Sequence, residues 1–181
     1  MTNPVIFKYK LSDSGTAEGM IGIGDQNVNF MFTNNGNPLA DLLRGMVSLI
    51  FEPSHIWDEE NIHHIDWYGE TVSYKWIFST LDGEVLNIKV TEVADLFEEG
   101  GEKVRMNNQC NFTDFYTAVI KELDVFIKDT GLLNYEQKWQ KDEFPLTYFL
   151  ILKKYLLEKG LWDGKKIGKN TLEREIDILM I

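Results

Sequence analysis

Three histidines and several carboxylates lie close together in the chain, and these residue types can bind metals or transfer protons. His55, His63, His64 and Asp66 offer the imidazole and carboxylate ligands that zinc and iron take in proteins. Their spacing is unfavourable, because neighbouring residues of a strand point to opposite faces and His63 and His64 then cannot reach one ion. We therefore expect exposed histidines and no bound metal. If an ion is held, His55, His63 and Asp66 are the candidate ligands.

Other residues with chemical potential lack the context that catalysis needs. Cys110 has no cysteine-hydrolase signature around it, which favours a structural cysteine beside a helix start. The stretch 22–25 (Gly-Ile-Gly-Asp) lacks the third glycine of a dinucleotide fingerprint and the Gly-Lys of a P-loop, so it predicts a turn. We assign no catalytic residue and no cofactor. The alternative is a hydrolase, or a protein that binds a metal or small ligand, with its site near the loop from His55 to His64.

The negative charge of the chain is concentrated in one segment. Residues 51–100 contain twelve carboxylates and two lysines, a balance of −10, whereas the whole chain carries −11. Such a local excess is typical of a surface that recognises a basic protein. It argues against nucleic acid and against anionic membranes, because both would be repelled.

A tryptophan stands directly before three consecutive acids in this segment. A large aromatic side chain beside charges is the composition of an interface hot spot. Trp57, Asp58, Glu59 and Glu60 are therefore our candidate partner-binding residues, whereas Trp67 is expected in the core.

Composition indicates one folded domain. The chain has 181 residues, of which 44% are hydrophobic and 13% aromatic, and we expect a single domain at 1–162 followed by a short linker and helix at 163–181. A lone cysteine favours a reducing compartment. The start of the chain lacks the pattern of a leader, and the longest apolar run is too short to span a bilayer. We expect a cytoplasmic protein whose oligomeric state stays open.

Hydrophobic periodicity predicts an α+β fold. Alternation favours strands at 5–11 and within 20–33, with a polar turn at 12–19 between them. Spacing of three and four favours helices at 38–50 and 112–130. A helix at 145–160, opened by Pro145 and apolar nearly all round at 146–152, is expected deep in the core, and Asn170 with Glu173 predicts a last short helix at 170–181. Segments 54–66 and 98–111 are expected to be irregular. Without βαβ alternation, we predict an antiparallel sheet with helices packed mainly on one face.

The segment 70–92 predicts a β-hairpin whose register can be argued. Tyr74, Trp76 and Phe78 share one face of the first strand. A three-residue loop at 81–83 would place Phe78 opposite Leu86 and keep the apolar faces together, whereas a slip of one residue would reverse every face. The same loop predicts that Gly83 is left-handed.

Two stretches resemble a known class of proteins. They are Asn37-Pro38-Leu39-Ala40-Asp41-Leu42-Leu43-Arg44, and the acidic loop that leads to Glu70-Thr71-Val72-Ser73-Tyr74-Lys75-Trp76. Together, over about residues 34–92, they resemble small bacterial cytosolic proteins, some of which act as immunity proteins against contact-dependent toxins. The resemblance implies a non-enzymatic protein that covers a basic, toxin-like partner such as a nuclease. It assigns a role to no individual residue.

A homodimer contact through the helix at 146–157 is a further possibility.

Overall fold

The computed structural model describes residues 3–51, 61–69, 72–94, 101–162 and 170–179. This part of the chain contains seven strands and five helices. The strands are β1 (Val5–Leu11), β2 (Thr16–Ile23), β3 (Gln26–Thr33), β4 (Asn61–Trp67), β5 (Val72–Thr80), β6 (Val85–Ala94) and β7 (Glu102–Asn111). The helices are α1 (Pro38–Phe51), α2 (Phe112–Thr130), α3 (Leu132–Trp139), α4 (Leu146–Glu158) and α5 (Thr171–Leu179).

The α+β class is confirmed, and its strands form two antiparallel sheets. One sheet has the order β1-β2-β3 and the other the order β4-β5-β6-β7. Helix α1 lies between β3 and β4 in the chain and connects the two sheets. Helix α2 packs on β1, α1 packs on β4, and α4 packs on both helices. None of the described helices is both long and apolar enough to cross a membrane.

The three-stranded sheet follows the predicted alternation. Phe7 and Tyr9 of β1 are buried, as are Val28, Phe30 and Phe32 of β3, whereas the intervening side chains are exposed. The polar turn at 12–19 was predicted too long, because β2 already begins at Thr16. Gly19, at the end of the predicted turn, lies within β2. The Phe30 ring occupies the space beside it, 2.3 Å from where a Cβ would stand.

Helix boundaries agree with their capping residues. Asn37 Oδ1 accepts a hydrogen bond from the Ala40 amide (3.1 Å), and Asn170 Oδ1 accepts one from the Glu173 amide (2.9 Å). Helix α2 ends at Gly131, as predicted. Helix α3 was not predicted, because its apolar residues are too few over eight positions to show a clear period.

Helix α4 lies less deeply than expected. Only Phe149, Leu152 and Leu156 are buried, whereas Leu150 and Leu157 are half-exposed. The helix packs against its neighbours with one face, so an almost uniformly apolar sequence did not require burial all round.

The last helix is attached to the rest of the fold. Residues 163–169 lie outside the described part of the chain, but α5 packs on α2. The Glu175 carboxylate accepts hydrogen bonds from the Leu132 and Leu133 amides (2.5 and 3.3 Å). It thereby supplies acceptors at the start of α3, where a helix has free amide groups.

The hairpin faces are confirmed, but its predicted register is wrong by two residues. Phe78 lies opposite Ile88, and not opposite Leu86. A shift of two preserves the faces, so the apolar side chains still meet. The loop between β5 and β6 is longer than expected, and a side chain stabilises it: Thr80 Oγ1 accepts a hydrogen bond from the Gly83 amide (2.9 Å). Gly83 is left-handed (φ 72°), as predicted.

Two segments expected to be irregular contain strands. In 98–111, β7 runs from Glu102 to Asn111 with only Met106 and Cys110 buried, so its alternation is almost entirely polar. In 54–66, β4 begins at Asn61, and the residues before it lie outside the described ones. Its inward-facing side chains include polar residues, so the sequence shows no clear alternation of apolar and polar residues.

Gly45 allows α1 to approach β4 closely, which yields a test of the packing. A Cβ at this position would lie 2.7 Å from His63 Cδ2 and 2.8 Å from Ile65 Cδ1. Helix propensity alone would make Gly45→Ala stabilising by about 1 kcal/mol. We expect instead a destabilisation of about 1–3 kcal/mol from overpacking, measured by urea unfolding.

Gly36→Ala is the matched control for Gly45→Ala, because nothing lies within 4 Å of its Cβ position, and it should leave the unfolding midpoint nearly unchanged. Adding His63→Ala to Gly45→Ala should recover part of the loss. Equal stability of Gly45→Ala and the unmodified chain would contradict the close packing.

Candidate functional site

The predicted partner-binding residues lie immediately before strand β4 in the chain. Trp57, Asp58, Glu59 and Glu60 lie outside the described residues, and so does His55. The next residue, Asn61, begins β4. The structure therefore fixes where the acidic run joins the fold, and the roles of its members stay predictions.

Strand β4 places its two histidines on opposite faces, as neighbouring residues of a strand must be. The prediction that both histidines are exposed is wrong for His63, which is half-buried. His63 lies on the face that packs against Gly45 of α1, whereas His64 and Asp66 are exposed on the other face. His63 and Asp66 therefore cannot ligate one ion together. Within the described ranges, no group of three or more histidine, cysteine or carboxylate side chains could hold a metal.

One end of the four-stranded sheet collects acids from distant parts of the chain. Asn61 pairs with Thr80, and Val85 pairs with Asn111. These pairings bring together the start of β4, the β5–β6 loop and the start of α2. We call residues 61–62, 81–85 and 109–114 the acidic end. Its charged residues are Asp82, Glu84 and Asp114, all exposed, and these ranges contain no lysine or arginine.

The carboxylate of Asp82 is held in place by the backbone of its own loop. Its Oδ1 accepts hydrogen bonds from the Glu84 amide (2.8 Å) and the Val85 amide (2.9 Å). The bond from Val85, followed by that from Glu84, lowers the pKa of the Asp82 carboxyl. The Phe112 amide donates to the Glu84 carbonyl (2.8 Å), which ties the loop to α2. The negative charge at this tip is therefore permanent at neutral pH and fixed in position.

Exposed apolar side chains accompany these acids. Leu81 is 60% exposed, Ile62 49% and Val85 40%. Aliphatic groups beside fixed charges can make contacts with a protein partner. Sequence reasoning treated residues 81–83 as a turn only, although Leu81 before Asp82 was a visible signal of an apolar side chain in an exposed loop.

Two other acids of the four-stranded sheet are paired with bases. Glu92 binds Arg105 (2.6 Å) and Glu102 binds Lys75 (2.6 Å). Within the described ranges, Asp82 and Glu84 form no ion pair with lysine or arginine, so their charges are available to a partner. Eight of the twelve acids at 51–100 lie outside these ranges.

Cys110 is a structural residue, as predicted. Its side chain is buried, and burial, followed by the charge of Asp114, raises the pKa of its thiol to about 12. A thiol that stays protonated at neutral pH is a poor nucleophile.

An open depression of about 640 Å³ lies over the three-stranded sheet, away from the histidines. Its lysines are paired: Lys8 with Glu122 (2.9 Å) and Lys10 with Glu18 (2.8 Å). Neither His63 nor His64 lines it. It therefore does not provide the histidine-lined pocket that the enzyme or small-ligand alternative predicts.

No family model, curated protein or solved structure matches the chain. The resemblance of residues 34–92 to immunity proteins therefore stays a prediction. The acidic end and the neighbouring strand β4 are the features from which a function can be inferred.

Asp82 should stabilise its loop in a pH-dependent manner. Since hydrogen bonds lower its folded-state pKa, its stabilisation is complete above the unfolded-state pKa and disappears as pH falls through the folded-state pKa. Asp82→Ala should cost about 0.5–1 kcal/mol in urea unfolding at pH 7. The difference from the unmodified chain should shrink as pH falls through the lowered folded-state pKa of Asp82.

Asp82→Asn is the control for this measurement, because an amide oxygen can still accept both hydrogen bonds. It should cost less than Asp82→Ala at pH 7. A cost for Asp82→Ala that does not change between pH 7 and low pH would show that the charge plays no part.

Proposed function

We propose that the chain is a non-enzymatic protein-binding module of the immunity type, which covers a basic surface of its partner in the cytoplasm. The observation that carries this proposal is the acidic end, where Asp82, Glu84 and Asp114 converge without a neighbouring lysine or arginine in the ranges that define it. A basic nuclease-like toxin is the class of partner that fits the charge.

The acidic end supplies both attraction and contact area. Fixed carboxylates accelerate the encounter with a cationic surface, and the effect falls as salt screens the charges. Ile62, Leu81 and Val85 are exposed within the same patch and can bury apolar area once the partner has docked. Trp57, Asp58, Glu59 and Glu60 precede Asn61 in the chain and would extend this surface as anchor and steering charges.

Hexalysine peptide is a suitable probe of the proposed surface, because it carries positive charge without a defined shape. Titrated into the isotope-labelled chain at low salt, it should shift amide resonances of 61–62, 81–85 and 113–114 more than those elsewhere. Asp82→Asn combined with Glu84→Gln should weaken these shifts and their salt dependence, because two of the fixed charges are removed.

The charge-matched control is Asp129→Asn combined with Glu143→Gln. Both acids are exposed and lie in the part of the chain where acids and bases balance. This control should bind hexalysine like the unmodified chain. Shifts spread evenly over the molecule, or an equal loss in both double variants, would overturn the proposal.

A further inference from the structure

Helix α4 has an exposed side with the residue spacing of a helix–helix contact. Its buried residues, Phe149, Leu152 and Leu156, lie on the side that packs against α1 and α2. The opposite side carries four exposed residues that stand three or four positions apart: Thr147, Leu150, Lys154 and Leu157. Alternating steps of three and four residues are those of the seam between two packed helices.

Three leucines expose apolar area along this helix and at its end. Leu150 is 52% exposed, Leu157 53% and Leu161 39%. Leu161 follows the last turn, where its amide donates to the Leu156 carbonyl (2.9 Å). Single exposed leucines are common on protein surfaces, whereas several along one helix are typical of a contact surface.

Two opposite charges accompany these leucines. Lys154 Nζ lies 3.7 Å from Glu158 Oε1, and the two side chains are 74% and 65% exposed. A surface pair this loose contributes little to the stability of one chain. Both groups are therefore accessible to a second molecule.

The order of leucines and charges is self-complementary. If two copies place their α4 helices antiparallel about a two-fold axis near residue 156, positions equally far from the axis on either side meet. Lys154 then faces Glu158 of the second copy, twice over by symmetry. Leu157 meets its own equivalent near the axis, and Leu150 meets Leu161 of the second copy. A parallel arrangement would instead place Lys154 beside Lys154.

The charge of this region also favours a second copy. The net charge of −11 opposes self-association through most of the surface. Lys153 is bound to Asp124 of α2, which leaves two lysines and one glutamate exposed at the C-terminal end of α4: Lys154, Glu158 and Lys159. Repulsion between two copies is therefore small here.

We propose that the chain forms a homodimer through an antiparallel pair of α4 helices. Two helices in contact over three to four turns bury on the order of 1,000 Å², which is near the lower limit for specific interfaces. The dimer is accordingly weak, with a Kd on the order of 0.1 mM. The inference does not depend on the proposed function, because α4 is not part of the acidic end.

The test is sedimentation equilibrium of the whole chain from about 10 µM to 1 mM. Lys154→Glu and Glu158→Lys should each weaken the homodimer about tenfold, because like charges then face each other at both contacts. An equimolar mixture of the two single variants should form a heterodimer with a Kd close to that of the unmodified chain, because opposite charges meet again at both contacts. The double variant that carries both exchanges should recover the homodimer.

Leu157→Asp tests the apolar part of the contact. It places two carboxylates near the axis and should abolish association up to 1 mM. Leu133→Asp is the matched control, because Leu133 is 60% exposed on α3, and it should change the Kd less than about twofold. Lys141→Glu, at an exposed position before α4, is the corresponding control for Lys154→Glu.

Three results would overturn the dimer. The first is an unmodified chain that stays monomeric at 1 mM. The second is an equal effect of Leu157→Asp and Leu133→Asp, which would show that association uses another surface. The third is a mixture of the two charge variants that associates no better than either variant alone, which would exclude the antiparallel arrangement.

Discussion

One aromatic cluster joins the two sheets, and the position of β4 depends on it. Phe32 of β3 lies 4.7 Å from Trp67 of β4, and Trp67 lies 4.5 Å from Trp76 of β5, between ring centroids. Each such pair contributes about 0.5–1.5 kcal/mol beyond the burial of its area. The cluster is held by ring packing and by the burial of apolar area.

The cluster also fixes which face of β4 meets solvent. Trp67 and Ile65 are both buried, so a slip of one residue would move them outward and bring His64 and Asp66 into the core. The exposed face of β4 is thus determined at its far end by hydrophobic packing.

Elements whose apolar residues recur at a regular spacing were predictable from the sequence, whereas elements whose inward positions are largely polar were not. Strand β1 and helix α2 show apolar residues at every second or every third to fourth position. Strand β7 shows only Met106 and Cys110 inward, because its other positions face solvent or the adjoining sheet. The hairpin register was misjudged because the Thr80 and Asp82 side chains accept hydrogen bonds from backbone amides of the loop, which favours a longer loop. These hydrogen bonds depend on the local backbone geometry of the loop, which the spacing of apolar residues does not reveal.

The acidic end could be predicted only in part, because it is assembled by strand pairing. The sequence identifies the excess of acid at 51–100, but Asp114 lies beyond that segment and joins the site through the pairing of β6 with β7. The pairing of β4 with β5 brings Asn61, which follows the acidic run, beside the loop that carries Asp82. Contacts between residues so far apart in the chain follow from topology, which composition does not determine.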